Sequence, residues 1–192
     1  MVNGLVRTGF QAQDPPCVQI HHNSRDHWVM SIQIENGDIY FLDSLGIKIN
    51  TSLEFQLCKI YGQNKNRIVI KIPEVQKQDN SIDCGLFAIT NAVEFRNNGF
   101  KGGTHINYDE KYMRDHLIYC LERGFFSQFP KNRIGRVPRI LKTKDPFIPI
   151  NCNCGSAVTI EDMIGCDGKN GTKLCNVWRH KSCAGNIGNG NN

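Results

Sequence analysis

The chain has 192 residues, is 40% hydrophobic and carries a formal net charge of +5 at pH 7. That suffices for one good core plus a small appendage, and the charge excess is too mild to imply a nucleic-acid partner by itself. No apolar run approaches the roughly 20 residues of a membrane span, and Met1-Val2-Asn3-Gly4 lacks a signal-peptide pattern, so an intracellular protein with no membrane partner is expected.

Trp28, Met30, Ile32 and Ile34 alternate with Ser31, Gln33 and Glu35, which predicts a half-buried strand over 28–35 with Trp28 in the core. Asn36-Gly37 signals a tight turn, and Ile39-Tyr40-Phe41-Leu42 is the returning strand. A two-residue turn would pair Met30 with Asp43 and set Asp43 on the face opposite His27. A bulge, a longer turn, or His27 standing just outside the ladder would bring the two together. Asn50 or Thr51 can cap a helix carrying Leu53, Leu57 and Ile60 on its inner face. Arg67-Ile68-Val69-Ile70-Lys71-Ile72 reads as a strand stopped by Pro73. Helical spacing returns from Cys84 to about Arg96, and again from about Tyr108 to Arg123, where Met113, Leu117 and Leu121 face inward.

Phe129-Pro130 closes a domain over 1–130. Residues 131–150 read as a basic linker: Lys131 to Lys144 holds Lys131, Arg133, Arg136, Arg139, Lys142 and Lys144 and no acid. A solvated linker is favoured over a patch for nucleic acid or a nuclear address, so direct nucleic-acid binding is not expected. Residues 151–184 form the appendage, and 185–192 read as a disordered tail.

Nine cysteines without a secretory signal point to metal binding and catalysis rather than disulfides. Cys17, Cys58 and Cys120 are scattered and read as core or incidental. Cys84 opens a helix, whose first-turn N–H groups and dipole favour the thiolate that attacks a carbonyl. His27 is the candidate base, ahead of His21 and His22, which lack the following Trp and strand. Asp43 can fix its tautomer, ahead of Asp79 and Asp83. The Gln78 amide, ahead of that of Gln76, and the backbone N–H of Cys84 can hold the oxyanion. His105 and His116 read as surface or helix-packing residues.

The order His27-Trp28, Asp43-Ser44-Leu45, then Gln78 to Asp83-Cys84-Gly85, followed by Met113-Arg114-Asp115-His116-Leu117 and Phe129-Pro130, resembles the ubiquitin-like-protein-specific cysteine proteases, the SUMO-type deconjugating enzymes related in fold to adenovirus protease. The resemblance covers roughly residues 16–130. It implies an α/β (α+β) papain-like, adenain-like fold, with a central mixed sheet and the nucleophile on a helix packed against it. It implies catalysis by His27, Asp43, Gln78 and Cys84 with no catalytic cofactor, and cleavage after a Gly-Gly-type end of a SUMO-type modifier in conjugates or precursors. Family catalytic domains carry a longer N-terminal part than the residues preceding His27, so the chain reads as N-terminally short.

The tail presents Cys152, Cys154, Cys166, Cys175, His180 and Cys183. Soft thiolates with one imidazole suit tetrahedral zinc, which would supply the folding energy that so short a segment lacks. Met163-Ile164-Gly165-Cys166-Asp167 and Cys175-Asn176-Val177-Trp178-Arg179-His180-Lys181-Ser182-Cys183 resemble a PHD finger. That resemblance implies a first zinc site of Cys152, Cys154, His180 and Cys183, and a second begun by Cys166 and Cys175 without its final pair. PHD fingers imply a histone tail or chromatin protein as partner, and nuclear localisation. Ile160 stands where the second aromatic wall of a methyl-lysine cage belongs, which speaks against that mode of reading. The functional expectation is a nuclear cysteine isopeptidase acting on SUMO-type conjugates. The alternative is a catalytically inactive protease-like binding protein, or a fragment of a transposon-derived protein. The intact set of four site residues favours the enzyme.

Overall fold

The structure, a computed structural model, describes residues 14–62, 65, 67–101, 105–150, 163–165, 169–170, 173–174, 178–180 and 183. The chain divides into two compact units, one made of 14–48 and 69–146, the other of the remaining residues. The architecture is mixed α+β, with three helices among the described residues.

The first unit is built on a sheet of order β1-β2-β3-β4-β7: Cys17–His22, Trp28–Gln33, Ile39–Leu42, Arg67–Pro73 and Thr143–Lys144. β1, β2 and β3 run antiparallel in sequence, β4 joins β3 in parallel, and β7 lies antiparallel to β4. A shorter antiparallel pair joins β5 (Ile106–Tyr108) to β6 (Lys131–Ile134).

β2 departs from the expected pattern. Val29, Met30, Ser31 and Ile32 are all buried, so the strand is covered on both faces. Ser31 tolerates this because its hydroxyl bonds His21 Nε2 at 2.6 Å. Trp28, expected in the core, is 41% exposed.

The β2–β3 connection fixes the register. Gln33 pairs with Ile39 and Met30 with Leu42. The Ile34 N–H donates to Asp38 O at 3.0 Å, and the Gly37 N–H to Ile34 O at 2.8 Å. The loop is therefore Glu35-Asn36-Gly37, a type I turn closed by Gly37 at φ +87°. One residue more than the two-residue turn moves Asp43 from opposite Met30 to opposite Val29. That places it on the face of His27.

Because no atom lies within 4 Å of a Cβ built on Gly37, its constraint is purely conformational. Gly37→Ala should therefore destabilise the protein by about 1 kcal/mol. Gly37→Asn, which tolerates the left-handed region, should cost clearly less. Urea midpoints check this, and equal losses for the two variants would contradict the left-handed loop.

α1 (Thr51–Tyr61) belongs to the second unit. Asn50 Oδ1 caps it by accepting the Leu53 N–H at 3.0 Å, and Leu53, Leu57 and Ile60 are buried as expected. In the first unit, α2 (Cys84–Asn98) lays Ala88, Ala92 and Phe95 against Met30, Ile32, Tyr40 and Leu42 of the sheet. Its other side joins Leu86, Phe87 and Val93 to Ile106, Tyr108, Phe129 and Met113, the last on α3 (Glu110–Arg123). On α3, Met113 and Cys120 are buried and Leu121 is 63% exposed. At about 100° per residue, Cys120 returns to within about 20° of Met113, whereas Leu121 has drifted about 80°.

Residues 131–146 are part of the first unit rather than a linker. β6 and β7 tie this stretch down at both ends, and a 2.6 Å ion pair with Glu94 draws in Lys131.

Candidate active site

The β1–β2 turn sets His27. Asn23 Oδ1 accepts the backbone N–H groups of Arg25, Asp26 and His27 at 2.9 to 3.0 Å. The Asn23 N–H donates to His27 O at 2.9 Å, and Ser24 takes φ +66° to close the turn. Sequence reasoning passed over Asn23. The available clue is that an asparagine side chain readily bonds backbone a few residues ahead of it.

Asp43 leaves β3 on the same face. His27 Nε2 and Asp43 Oδ1 are 2.8 Å apart, and both side chains are buried. Oδ1 also accepts the Leu45 N–H and Oδ2 the Ile47 N–H, each at 2.8 Å. Burial pushes the Asp43 carboxyl up, but the bond from His27, the backbone N–H bonds and the imidazole charge together hold it below the ordinary carboxylate value. A carboxylate so held only accepts, so Nε2 must carry the proton and Nδ1 of the neutral ring is the basic nitrogen. Nδ1 is buried and hydrogen-bonds to none of the described residues.

Cys84 is the first residue of α2 and is buried. Its sulfur accepts the Trp28 N–H at 3.5 Å and lies 4.0 Å from Asp26 O. The backbone on either side of His27 thus cradles the sulfur. Cys84 stands at the N-terminal end of α2 with a strand N–H directed at its sulfur. A Cβ on Gly85 would lie 3.5 Å from the Trp28 indole, which also meets the His22 ring at a centroid distance of 4.6 Å, tilted by 49°.

Gln78 is anchored beside Asp43. Its N–H donates to Ser44 O at 3.2 Å, and Ser44 Oγ donates to its Oε1 at 2.6 Å. With Oε1 engaged, Nε2 is fixed as the donating end. It gives one N–H to Asn80 O at 2.5 Å and has a second for a developing oxyanion. Asn80 shapes the run to Cys84 by accepting the Ile82 and Asp83 N–H groups and donating to Asp83 Oδ2 at 2.7 Å. Arg114 clasps the other Asp83 oxygen from α3.

The rival side chains of His21, Gln76 and Asp83 are engaged elsewhere. His21 bonds Ser31. Gln76 bonds Tyr108 and Glu110. Asp83 is held by Arg114 and Asn80, and the Asp79 N–H bonds Glu110. His116 sits 3.4 Å from Cys120 and packs on Phe129. Burial pushes the Cys58 thiol up to about 12.

Of the expected zinc ligands, Cys152, Cys154, Cys166 and Cys175 lie outside the described residues. His180 ends the strand Trp178–His180, which pairs antiparallel with Met163–Gly165 and sets His180 opposite Met163. Cys183 is exposed. Among the described residues no three His, Cys, Asp or Glu side chains cluster as a metal site, and no helix is long and apolar enough to cross a membrane. Comparison of the chain with protein-family models, with curated proteins and with solved structures returns no match.

Proposed function

We propose that the chain is a cysteine peptidase or isopeptidase of papain-like fold that cleaves SUMO-type modifiers from conjugates or precursors. One observation carries this reading. Asp43 accepts the Nε2–H of His27, Nδ1 bonds none of the described residues, and the sulfur of Cys84 rests against the backbone flanking that same histidine.

Cys84 gives its proton to His27 Nδ1, and the sulfur adds to the carbonyl carbon of the scissile amide. The Gln78 Nε2–H and N–H groups at the start of α2 hold the resulting oxyanion. On collapse the C–N bond breaks, and His27 passes its proton to the leaving amine. Water, deprotonated by His27, then attacks the thioester, which releases a carboxylic acid and restores the thiol. Asp43 stabilises the imidazolium in both halves. Beside the sulfur stand an indole and a bare glycine backbone, which suit a substrate end without side chains. Incubation with a SUMO-type precursor should release the peptide that follows Gly-Gly; an intact precursor, with no covalent labelling by a C-terminal electrophile, would overturn the reading.

The proposal includes a zinc-stabilised PHD-like tail for chromatin targeting in the nucleus. Three thiolates and an imidazole, Cys152, Cys154, His180 and Cys183, fit tetrahedral zinc by donor chemistry. Bound zinc supplies folding energy, not catalysis. Native mass spectrometry of the whole chain should find one tightly held zinc, lost in His180→Ala. Two tightly held ions would mean that Cys166 and Cys175 find further ligands.

A further inference from the structure

Residues 132–144 form a strap across the first unit. β6 fixes one end and β7 the other. Between them the Gly135 N–H bonds His105 O at 2.5 Å, and a Cβ on Gly135 would stand only 3.2 Å from that oxygen, so a larger residue would lift the strap. The strap is therefore held in place before any partner arrives.

Its outer side has a repeating chemistry. Arg133, Arg136, Arg139, Lys142 and Lys144 are exposed. None makes an ion pair with a described residue, in contrast to Lys131. Following Arg133, Arg136 and Arg139 in turn stand Ile134, Val137 and Ile140, exposed by 67%, 42% and 81%. Single exposed aliphatic residues are ordinary, but three within seven residues of a basic run make a local apolar surface.

Beside the strap runs a groove of about 850 Å³, lined by Arg133 and Arg136 on one side and by Glu74, Asp79 and Glu110 among others. Those carboxylates disfavour any anion inside the groove, so the surface open to acidic groups is the outer side of the strap. The strap offers no aromatic ring for a base to stack on, whereas single-stranded nucleic acid is gripped by basic grooves with aromatic platforms. Discrete acids separated by aliphatic residues match the strap in both charge and apolarity.

We infer that the outer side of the strap docks an extended polypeptide segment in which acidic residues alternate with aliphatic ones. Binding is read without turnover, so the inference stands or falls separately from the proposed proteolysis.

The test is fluorescence anisotropy of the full chain with a fluorescein-labelled peptide alternating glutamate with leucine and valine. Saturable binding is expected, weakened at least about tenfold between about 0.05 and 0.5 M NaCl. R133E/R136E/R139E should weaken it at least about tenfold. R133Q/R136Q/R139Q should weaken it by less and guards against misfolding of the charge-reversed chain. I134S/V137S/I140S, or a glutamate–serine peptide, should also bind at least about tenfold more weakly. Absence of peptide binding, equal affinity in the folded Gln and Glu variants and wild type, or tighter binding of a single-stranded RNA of equal length would overturn the inference.

Discussion

Cys84→Ser should abolish covalent labelling by a ubiquitin-like modifier bearing a C-terminal vinyl sulfone, and slow any hydrolysis by roughly 10⁴-fold or more, the scale seen when a nucleophile is removed. The substitution changes little else, since a serine hydroxyl can still accept the Trp28 N–H that meets the sulfur. The other thiols of the described core are poorly placed to substitute. Cys58 is buried with its thiol pushed up to about 12, and Cys120 is buried against His116 and Ser127. Intact-mass measurement reads the adduct directly. Equal labelling of wild type and Cys84→Ser would remove Cys84 from the role of nucleophile.

Asp43→Asn should lower turnover by roughly 10²- to 10⁴-fold with the fold preserved. Both carboxylate oxygens accept backbone N–H groups, Oδ1 from Leu45 and Oδ2 from Ile47. An amide presents one acceptor and one donor, so one of those N–H groups must face an NH₂. If the NH₂ takes the Oδ1 place, it also faces His27 Nε2 and drives the ring proton to Nδ1, the nitrogen that must receive the Cys84 proton. Stability follows with a definite sign. The Asp43 carboxyl is held below its ordinary value of 3.8, so its contribution is fully present above that pH and is lost as pH falls through the lower folded value. The difference in urea midpoint between wild type and Asp43→Asn should therefore shrink below about pH 3.8. A difference that grows in acid would contradict the assignment.

Much of this geometry is legible in the residues themselves. Helical spacing and an asparagine cap locate α1, and the apolar steps from Cys84 locate α2. Chemical logic together with the resemblance to the ubiquitin-like-protein-specific proteases selects His27, Asp43, Gln78 and Cys84 as site residues, and all four fall in the first unit. What the pattern does not carry is pairwise. Asn36-Gly37 suits either a two-residue turn or a three-residue loop, because glycine supplies positive φ to both. Burial of Ser31 depends on His21 in the neighbouring strand, and no periodicity within β2 reveals a partner across the ladder. The exposure of Trp28 follows from its place at the strand's edge over Gly85. The strap at 132–144 has the composition of a linker, and only its long-range pairing to β5 and β4 makes it part of the unit.

The hairpin loop at Glu35-Asn36-Gly37 holds a register as well as a turn. Surface turns generally absorb insertions and deletions, because backbone can be added or removed without disturbing the elements on either side. Here the pairing of Ile34 with Asp38 beyond the loop must be kept, since a one-residue slip of that pairing would send Asp43 to the other face of the sheet, away from His27. A library varying loop length from two to five residues, selected for labelling at Cys84, should return every length that keeps this pairing, odd or even, whereas a one-residue deletion inside β3, between Asp38 and Asp43, should be rejected. Register, rather than loop length or any side chain in the loop, is the quantity that selection at this site would have to preserve.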